Sequence, residues 1–348
     1  MRGAGGVIGV HMNAASYRGT VVVTGGAGYI GSWVTRILPE RGYHVIVLDR
    51  LMFGPESVMS LPSGVDVVAG DCRDSALVER VLSQADAVIH LAGLVGDPAC
   101  AVDETVSYDI NVSATRLVAE TARKLDKRLV FASSCSVYGV NPDLSTEESS
   151  RAPVSIYARN KCDAEDLLLE MRDDRFAPTI LRFATIHGLS PRPRFDLVVN
   201  LFAGLATRTG KITVFGGDQW RPFVHCADVA EALVRTVEAD ESLVAGEIFN
   251  VGSDAENYTI ADIGRVVQLE VPGTELAFSE QADDERDYRV SFDKVRTTLG
   301  FEPSRSVVES IAEIGAALSE TPGWEISESR FSNVKRTREL LDELRGAR

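Results

Sequence analysis

Thr24-Gly25-Gly26-Ala27-Gly28-Tyr29-Ile30-Gly31 follows an apolar, β-branched run, Thr20-Val21-Val22-Val23, and precedes a segment in which Ile30, Val34, Ile37 and Leu38 recur at helical spacing. The glycines therefore sit in a strand-to-helix turn. Gly26, Gly28 and Gly31 carry the G-x-G-x-x-G spacing of a dinucleotide-binding turn. Such a turn needs residues that tolerate unusual φ/ψ and offer no Cβ where the backbone meets a diphosphate. The helix behind it presents unpaired N–H groups and the positive end of its dipole. Val45-Ile46-Val47-Leu48-Asp49 then reads as a second strand, ending where a carboxylate receives a ribose 2′-hydroxyl. Asp49 would repel a 2′-phosphate and so favours NAD. Arg50 beside it is the residue that would bind that phosphate in NADP.

Working outward, the 348 residues suffice for two modest domains or one large α/β unit with an appended part. A hydrophobic content of 45% supports a real core and argues against disorder. The net charge of −15 argues against a nucleic-acid partner or an anionic membrane surface, while leaving room for a local basic pocket. No apolar run has the length of a transmembrane helix. Cys72, Cys100, Cys135, Cys162 and Cys226 lack paired metal spacing and point to a reduced, cytoplasmic setting. The histidines are scattered, so no metal site is expected. Residues 1–18 read as a disordered tail or a cloning remnant, with Met12 an alternative start, because Val7-Ile8-Gly9-Val10 is too short for a signal sequence.

Val65–Ala69 reads as a third strand, ending in Gly70-Asp71-Cys72. A short helix at 75–83 leads to a strand at 85–91, which ends in His90-Leu91-Ala92-Gly93. A long helix at 105–125, a strand at 128–132, a helix at 155–171 and a strand at 178–183 follow. This alternation means a parallel, doubly wound sheet, with ligands beyond the carboxyl ends of the strands. Residues 25–31, Asp49, Asp71, Ala92-Gly93, 133–136 and 184–185 should converge there. From 186 the rhythm changes. Helices are expected at 196–208, 227–239, 259–268, 293–299 and 306–319, strands at 212–215 and 247–251, and a charged helix at 333–345. The expected division is a Rossmann-type α/β domain over 19–185, rejoined by 218–252, and a smaller α/β substrate lobe made of 186–217 and 253–348.

Tyr157-Ala158-Arg159-Asn160-Lys161 opens the helix after the fifth strand, and i, i+4 spacing puts Tyr157 and Lys161 on one face. A tyrosine acts as an acid/base near neutrality only if its pKa, ordinarily about 10, is lowered. A neighbouring ammonium does this, as would the positive nicotinamide of an oxidised cofactor. Ser134, at the end of the fifth strand, can share a hydrogen bond with the substrate oxygen. Together the three can take a proton from a hydroxyl while hydride leaves its carbon, or run the reverse. Tyr-x-x-x-Lys alone is a common helix-surface pattern; the dinucleotide turn and the Ser-bearing strand end give it meaning.

This order of motifs resembles the extended short-chain dehydrogenase/reductases, in particular their NAD-dependent nucleotide-sugar epimerase/dehydratase group. The matching pieces are residues 24–31, Asp49, Gly70-Asp71, 90–93, Asn111, 133–139, 157–161, Leu181-Arg182-Phe183, 221–225 and 228–230, spread over residues 20–320. The resemblance implies NAD(P) held by Gly25, Gly28, Tyr29, Ile30, Gly31, Asp49, Arg50, Leu91, Ala92, Gly93 and Phe183, with Asp71 and Cys72 at the adenine. It implies Ser134 as carbonyl/hydroxyl partner, Tyr157 as acid/base and Lys161 as anchor of the cofactor ribose. For a nucleoside-diphosphate sugar it implies Arg221 on the diphosphate, a natural task for a guanidinium. Arg286, with Asp287, would make a later phosphate or ribose contact, and Ser136, Thr185, Asp196 and Leu197 would complete the pocket. It further implies a homodimer through a four-helix interface of the 105–125 and 155–171 helices.

Departures from the group's pattern narrow the chemistry. The 4,6-dehydratases carry an Asp-Glu pair directly after the catalytic Ser/Thr; Cys135 and Ser136 stand there in this chain, so dehydration is disfavoured. Ser136 resembles 4-epimerases, in which a transient keto sugar turns over in the pocket, and residues 90–94 resemble a stretch of UDP-glucose 4-epimerases. Thr185 stands where many members have a phosphate-binding Asn, and His187 where they often have Tyr. The function expected is NAD-dependent C4 epimerisation of a nucleoside-diphosphate sugar through a 4-keto intermediate. An NAD(P)H-dependent 4-ketoreductase is the alternative among enzymes, and a cofactor-binding regulatory protein the alternative outside them. Packing roles are expected for His90, His225, Cys135 and Trp220, while His187 falls near the nicotinamide end. Arg192 and Arg194 read either as a solvated loop or as a second phosphate grip. Lys335, Arg336 and Arg338 read as a solvated, salt-bridged face with Glu339, Asp342 and Glu343.

Overall fold

The computed structural model describes residues 17–59, 61–280 and 284–346. In chain order its first part comprises β1 (Thr20–Thr24), α1 (Gly31–Glu40), β2 (His44–Asp49), β3 (Val65–Ala69), α2 (Ser75–Leu82), β4 (Ala87–His90), α3 (Asp97–Cys100) and α4 (Glu104–Tyr108). A π turn (Asp109–Ser113) leads into α5 (Ala114–Lys124), β5 (Arg128–Ser134), β6 (Val140–Ser145), α6 (Ile156–Glu170), β7 (Thr179–Phe183) and β8 (Thr185–His187). The rest is α7 (Val198–Thr209), β9 (Lys211–Phe215), β10 (Trp220–His225), α8 (Cys226–Glu238), α9 (Glu241–Val244), β11 (Ile248–Val251), β12 (Asn257–Thr259) and α10 (Ile260–Glu270). Then come β13 (Glu275–Ser279), β14 (Asp287–Val290), α11 (Asp293–Leu299), α12 (Val307–Glu320) and α13 (Asn333–Gly346).

Seven strands form one parallel sheet in the order β11-β7-β5-β4-β1-β2-β3. The β-branched run of β1 is buried on both faces. Val21 and Val23 join the layer of Val34, Leu38, Val229 and Leu233, and Val22 joins the layer of Val78, Val118 and Ala122. Continuous apolar runs, rather than alternating ones, are what a sheet covered by helices on both sides demands. The chain builds outward from β1 to β3, returns to β4 on the other side of β1, and builds outward again. At that switch point the loops after β1 and β4 diverge and leave a crevice.

The turn after β1 fixes this end of the sheet. Gly25 has φ 73°, and a Cβ there would lie 2.7 Å from the Ala92 amide nitrogen. A Cβ on Gly31 would collide with the Gly25 carbonyl oxygen. Larger residues at these two positions would drive α1 away from the sheet.

The smaller lobe has its own core, in which Phe195, Val199, Phe202, Val214, Phe223, Ile263, Ile311 and Phe331 meet. It carries a β12-β10-β8 sheet and a β13-β9 pair. β10 lies in the small sheet, so the return to the large one begins with α8, which packs on α1, and continues in β11. Three features depart from the expectations. Tyr17 and Arg18, assigned to the tail, join the fold: Tyr17 stacks at 5.4 Å on His44, and Arg18 pairs with Glu238 at 2.8 Å. Residues 1–16 lie outside the described residues. The helix expected over 105–125 is continuous through α4 and α5 but carries a π turn between them, which brings Asn111 to the backbone of Leu94. Strands not expected form at β6, β8, β10, β12, β13 and β14, and β6 pairs with β14. Among the described residues no helix is long and apolar enough to cross a membrane.

Candidate active site

Ser134 ends β5, and Tyr157 and Lys161 lie in the first two turns of α6, whose N-terminus is capped by Ser155 accepting from the Ala158 amide at 3.2 Å. The helix face that meets β5 carries Tyr157, Lys161 and Glu165 at i, i+4 and i+8. The Lys161 ammonium donates to the Ala132 carbonyl at 2.6 Å and lies 4.7 Å from the centroid of the Phe131 ring. Burial pulls its pKa down to about 8. Tyr157 is raised above its ordinary value, first by burial and then by the nearby Cys100 and Asp97, while a hydrogen bond with Ser134 works the other way. The geometry thus brings the three residues together around a protonated phenol. Positive charge arriving beside that phenol would lower its pKa.

The dinucleotide candidates line the switch-point crevice. Asp49 accepts from the Ala27 amide at 3.0 Å and the Leu51 amide at 2.8 Å. Burial raises its pKa and these amides oppose the rise. α1 begins after Ile30 with no side-chain cap and no acidic residue in its first turn. Its N-terminus, beside Gly28 and Gly31, is therefore open to an anion. The Leu91 and Ala92 amides donate to the Thr24 carbonyl and hydroxyl at 3.0 and 3.3 Å, and Gly93 abuts Asn111. Phe183 lies beside Ser134 in the β5–β7 register. Arg50 and Arg73 both pair with Asp71, at 3.3 and 2.8 Å. Cys72 is buried, and burial pushes its thiol up to about 12, leaving its backbone as the polar part. The donor set fits a dinucleotide: two positions that admit no Cβ, an uncapped helix N-terminus and a carboxylate at the end of β2. The Tyr29 hydroxyl donates to the Gly188 carbonyl at 2.5 Å and accepts from Asn200 at 3.1 Å, so its side chain ties the lobes together and its backbone is the part left to face the turn.

On the other side of Tyr157, Arg221 is buried and pairs with Asp284 at 2.9 Å. Arg286 pairs with the same carboxylate at 2.6 Å and with Asp97 at 2.9 Å. The Ser136 hydroxyl is buried with no hydrogen-bond partner among the described residues. Such a group is costly unless something fills its place. Thr185 opens β8, and Leu197 precedes α7. Asp196 is already engaged: it pairs with Arg194 at 2.9 Å and accepts from the Asn333 amide at 2.7 Å, so it fastens the C-terminal segment instead of presenting a free carboxylate. The basic run at 335–338 is only partly a solvated face, since Arg336 pairs with Glu339 and also reaches the Met52 carbonyl. Sequence reasoning missed Asp97 and Asp284. Neither lies in a recognisable motif, and the contacts Asp97–Arg286 and Asp284–Arg221 join distant parts of the chain.

Cys135 is buried with its thiol on the Arg182 carbonyl. His225 accepts from the Ala227 amide and meets Glu313 at 2.8 Å, a capping and packing position. His90 lies between Thr24 at 2.6 Å and Thr115 at 3.0 Å, and His187 meets Ser310 at 2.7 Å. Burial pulls both His90 and His187 down to about 3, so both are neutral in the fold. Unfolded histidines take up protons near pH 6.5. Between about pH 6.5 and 3 the unfolded chain therefore binds more protons, and stability falls as pH drops through that window. The expected slope is about 1.4 kcal/mol per pH unit for each histidine. Urea titrations at pH 7 and pH 5 measure it, and the His90→Asn/His187→Asn double variant should flatten it. An unchanged slope in that variant would show that other groups carry the acid sensitivity.

Residues 21–252 match the NAD dependent epimerase/dehydratase family. The chain is 29% identical over 338 residues to a UDP-glucose 4-epimerase of Yersinia pestis, covering 87% of this chain and 98% of that one. It is 30% identical over 307 residues to UDP-glucuronic acid decarboxylase 2 of Arabidopsis thaliana, covering 84% and 66%. Among solved structures it is similar to MoeE5 in complex with UDP-glucuronic acid and NAD, with TM-score 0.77, 26% identity, and 87% and 100% of the two chains covered. The similar proteins thus include epimerases, decarboxylases and dehydratases, all named for nucleotide-sugar substrates. With the seven-stranded parallel sheet, the glycine turn and the Ser134/Tyr157/Lys161 cluster in place, the chain belongs to the NAD-dependent epimerase/dehydratase family of extended short-chain dehydrogenase/reductases.

Proposed function

We propose that this protein is an NAD-dependent 4-epimerase of a nucleoside-diphosphate sugar. The observation that carries the reading is the pairing of Ser134, Tyr157 and Lys161 with a buried, unpartnered Ser136 hydroxyl where dehydratases of the group place a carboxylate. Bound in the crevice, NAD supplies a reversible acceptor for the C4 hydride. Tyr157 takes the C4 hydroxyl proton and returns it. Ser134 holds the same oxygen by a hydrogen bond. Lys161, fixed on the Ala132 carbonyl, keeps positive charge beside the phenol and within reach of the cofactor ribose. Ser136 offers a neutral hydrogen-bonding group that lets a keto sugar turn over without losing a C5 proton. Arg221 and Arg286 supply charge for the substrate diphosphate, with Asp284 as their counter-ion in the absence of substrate.

NAD is favoured over NADP by the arrangement at the end of β2. Asp49 occupies the ribose position, while Arg50 turns to Asp71. A homodimer through α4, α5 and α6 is part of the proposal. It is supported by an exposed groove between α4 and α6 in which Tyr108, Pro153 and Ile156 are flanked by Glu104, Arg159 and Asp163, and by 47% exposure of Tyr108. Five cysteines, each unpaired and buried, support a reducing compartment such as the cytoplasm.

The test is to denature the purified protein, identify the released dinucleotide, and follow UDP-sugars and other nucleoside-diphosphate sugars by NMR. Near-stoichiometric NAD with interconversion of C4 epimers is the expected result. An empty protein that consumes added NAD(P)H only with a keto sugar would replace this reading with the ketoreductase. Tight binding without conversion of any sugar would replace it with a non-catalytic binder.

A further inference from the structure

Two arginines that the proton chemistry does not use lie buried at the mouth of the dinucleotide crevice. Arg192 and Arg194 come from the loop after β8, in the smaller lobe, and are 5% and 7% exposed. Arg192 stacks on Phe53, in the loop after β2, with Cζ 3.4 Å from the ring centroid. It donates to the Asn333 side-chain oxygen at 2.9 Å, and its Nε is buried with no partner among the described residues. Arg194 lies 5.9 Å from the centroid of the Tyr29 ring, whose residue directly precedes Ile30, the N-cap of α1. The charge of Asp49 acts on Arg192, and that of Arg194 acts on Tyr157. The two guanidiniums thus form a line from the loop after β2, past the start of α1, to Gly96 in the loop after β4. A dinucleotide lies along that line in a sheet of this kind, with its diphosphate in the middle.

Asp196 pairs with Arg194 and Asp49 faces Arg192, so the charges balance, but the hydrogen bonds do not: no carboxylate oxygen among the described residues reaches the Arg192 Nε. A buried guanidinium with an orphaned N–H is costly unless an anion completes it. A solvated loop, the bland alternative, does not bury both side chains.

We propose that Arg192 and Arg194 form a clamp on the cofactor diphosphate, supplied by the smaller lobe opposite the N-terminus of α1. The C-terminal segment fastens it. Asn333 also donates to the Val95 carbonyl at 2.9 Å, and Arg336 donates to the Met52 carbonyl at 2.6 Å. The arginine loop and the loops after β2 and β4 become one closed rim. A rim of this kind keeps the dinucleotide resident. The inference rests on the reading of the crevice as an NAD site and extends it to the rate at which NAD leaves.

The test measures exchange of bound NAD against excess isotope-labelled NAD by mass spectrometry in the parent, Arg192→Gln and Arg194→Gln proteins, with UDP binding by calorimetry in parallel. Loss of one charged hydrogen-bonding group predicts about tenfold faster release in each variant. UDP affinity should be unchanged. The ratio of ADP to adenosine affinity should fall by a similar factor, whereas a merely structural loosening would weaken both ligands equally. Arg192→Lys, which keeps the charge but not the fork, covers a Gln variant that fails to fold, and should release NAD at an intermediate rate. A parent that binds neither NAD nor ADP overturns the reading of the site and the clamp together. Normal NAD in the parent with unchanged release in the variants overturns the clamp alone. Weaker UDP binding with unchanged NAD release assigns the arginines to the sugar nucleotide and also overturns it.

Discussion

Tyr157→Phe will lower turnover of the nucleotide-sugar substrate by about 10²- to 10⁴-fold, the range expected when a positioned acid/base is removed. The argument starts from geometry. The phenol lies close enough to Ser134 for that hydroxyl to act on its pKa and shares a helix face with Lys161, and Phe keeps the ring that packs against Leu94, Ala99 and Cys100 while deleting only the hydroxyl. The fold and the bound NAD should therefore persist. Three readouts separate this role from a structural one: NAD content per chain, the thermal midpoint, and the absorbance of reduced cofactor on mixing with substrate. The first two should match the parent, and the third should be lost. Equal turnover in the variant would remove Tyr157 from the chemistry. Lower NAD content with proportionate loss of activity would make it a binding residue instead.

Glu165→Leu will destabilise the protein by about 3–5 kcal/mol, because it leaves a buried guanidinium without its partner. Glu165 is fully buried. It accepts from Arg182 at 2.7 and 3.0 Å and from the Ser133 hydroxyl at 2.5 Å. Arg182 continues the network to the Tyr138 hydroxyl at 3.0 Å, and Tyr138 donates to Asn250 at 2.7 Å. This network joins α6, β5, β7 and β11 under the Ser134/Tyr157/Lys161 cluster. Urea denaturation will give the loss, and the Glu165→Met/Arg182→Met double variant should recover much of it, since both charges are then gone. A double variant as unstable as the single one would mean that hydrogen bonds to Ser133 and Tyr138, rather than the ion pair, hold this layer. Activity of the double variant tests a separate point. The pair lies one helical turn beyond Lys161, and its loss should raise the mobility of Ser134 and Tyr157 together.

Much of the large sheet was legible in the sequence because its signals are local. β1, the glycine turn and Asp49 occupy thirty consecutive residues, and the β-branched runs of β2 and β3 are continuous as a doubly covered sheet requires. Lys161 was readable from Tyr157 by helix periodicity. What escaped depends on partners far along the chain. β6 contains Pro142, which argues against a strand, yet its residues pair with β14 well over a hundred positions later. The π turn at 109–113 leaves the apolar spacing of the helix almost intact and shows itself only in Asn111 reaching Leu94. Tyr29 sits inside the phosphate-binding motif, and nothing in that motif says that its ring serves Gly188 and Asn200 across the crevice. The two roles open for Arg192 and Arg194 could be weighed only once Phe53, Tyr29 and Asn333 were seen around them.

The chain enters the smaller lobe at β8, leaves it at α8, completes the large sheet with β11 and crosses back again. A fragment ending near residue 185 would bare the fully buried β7 along the edge where β11 belongs, and would uncover α1 where α8 packs. The smaller lobe is thus not a cassette that recombination could exchange. Any change of specificity within this architecture has to leave both halves able to fold around each other.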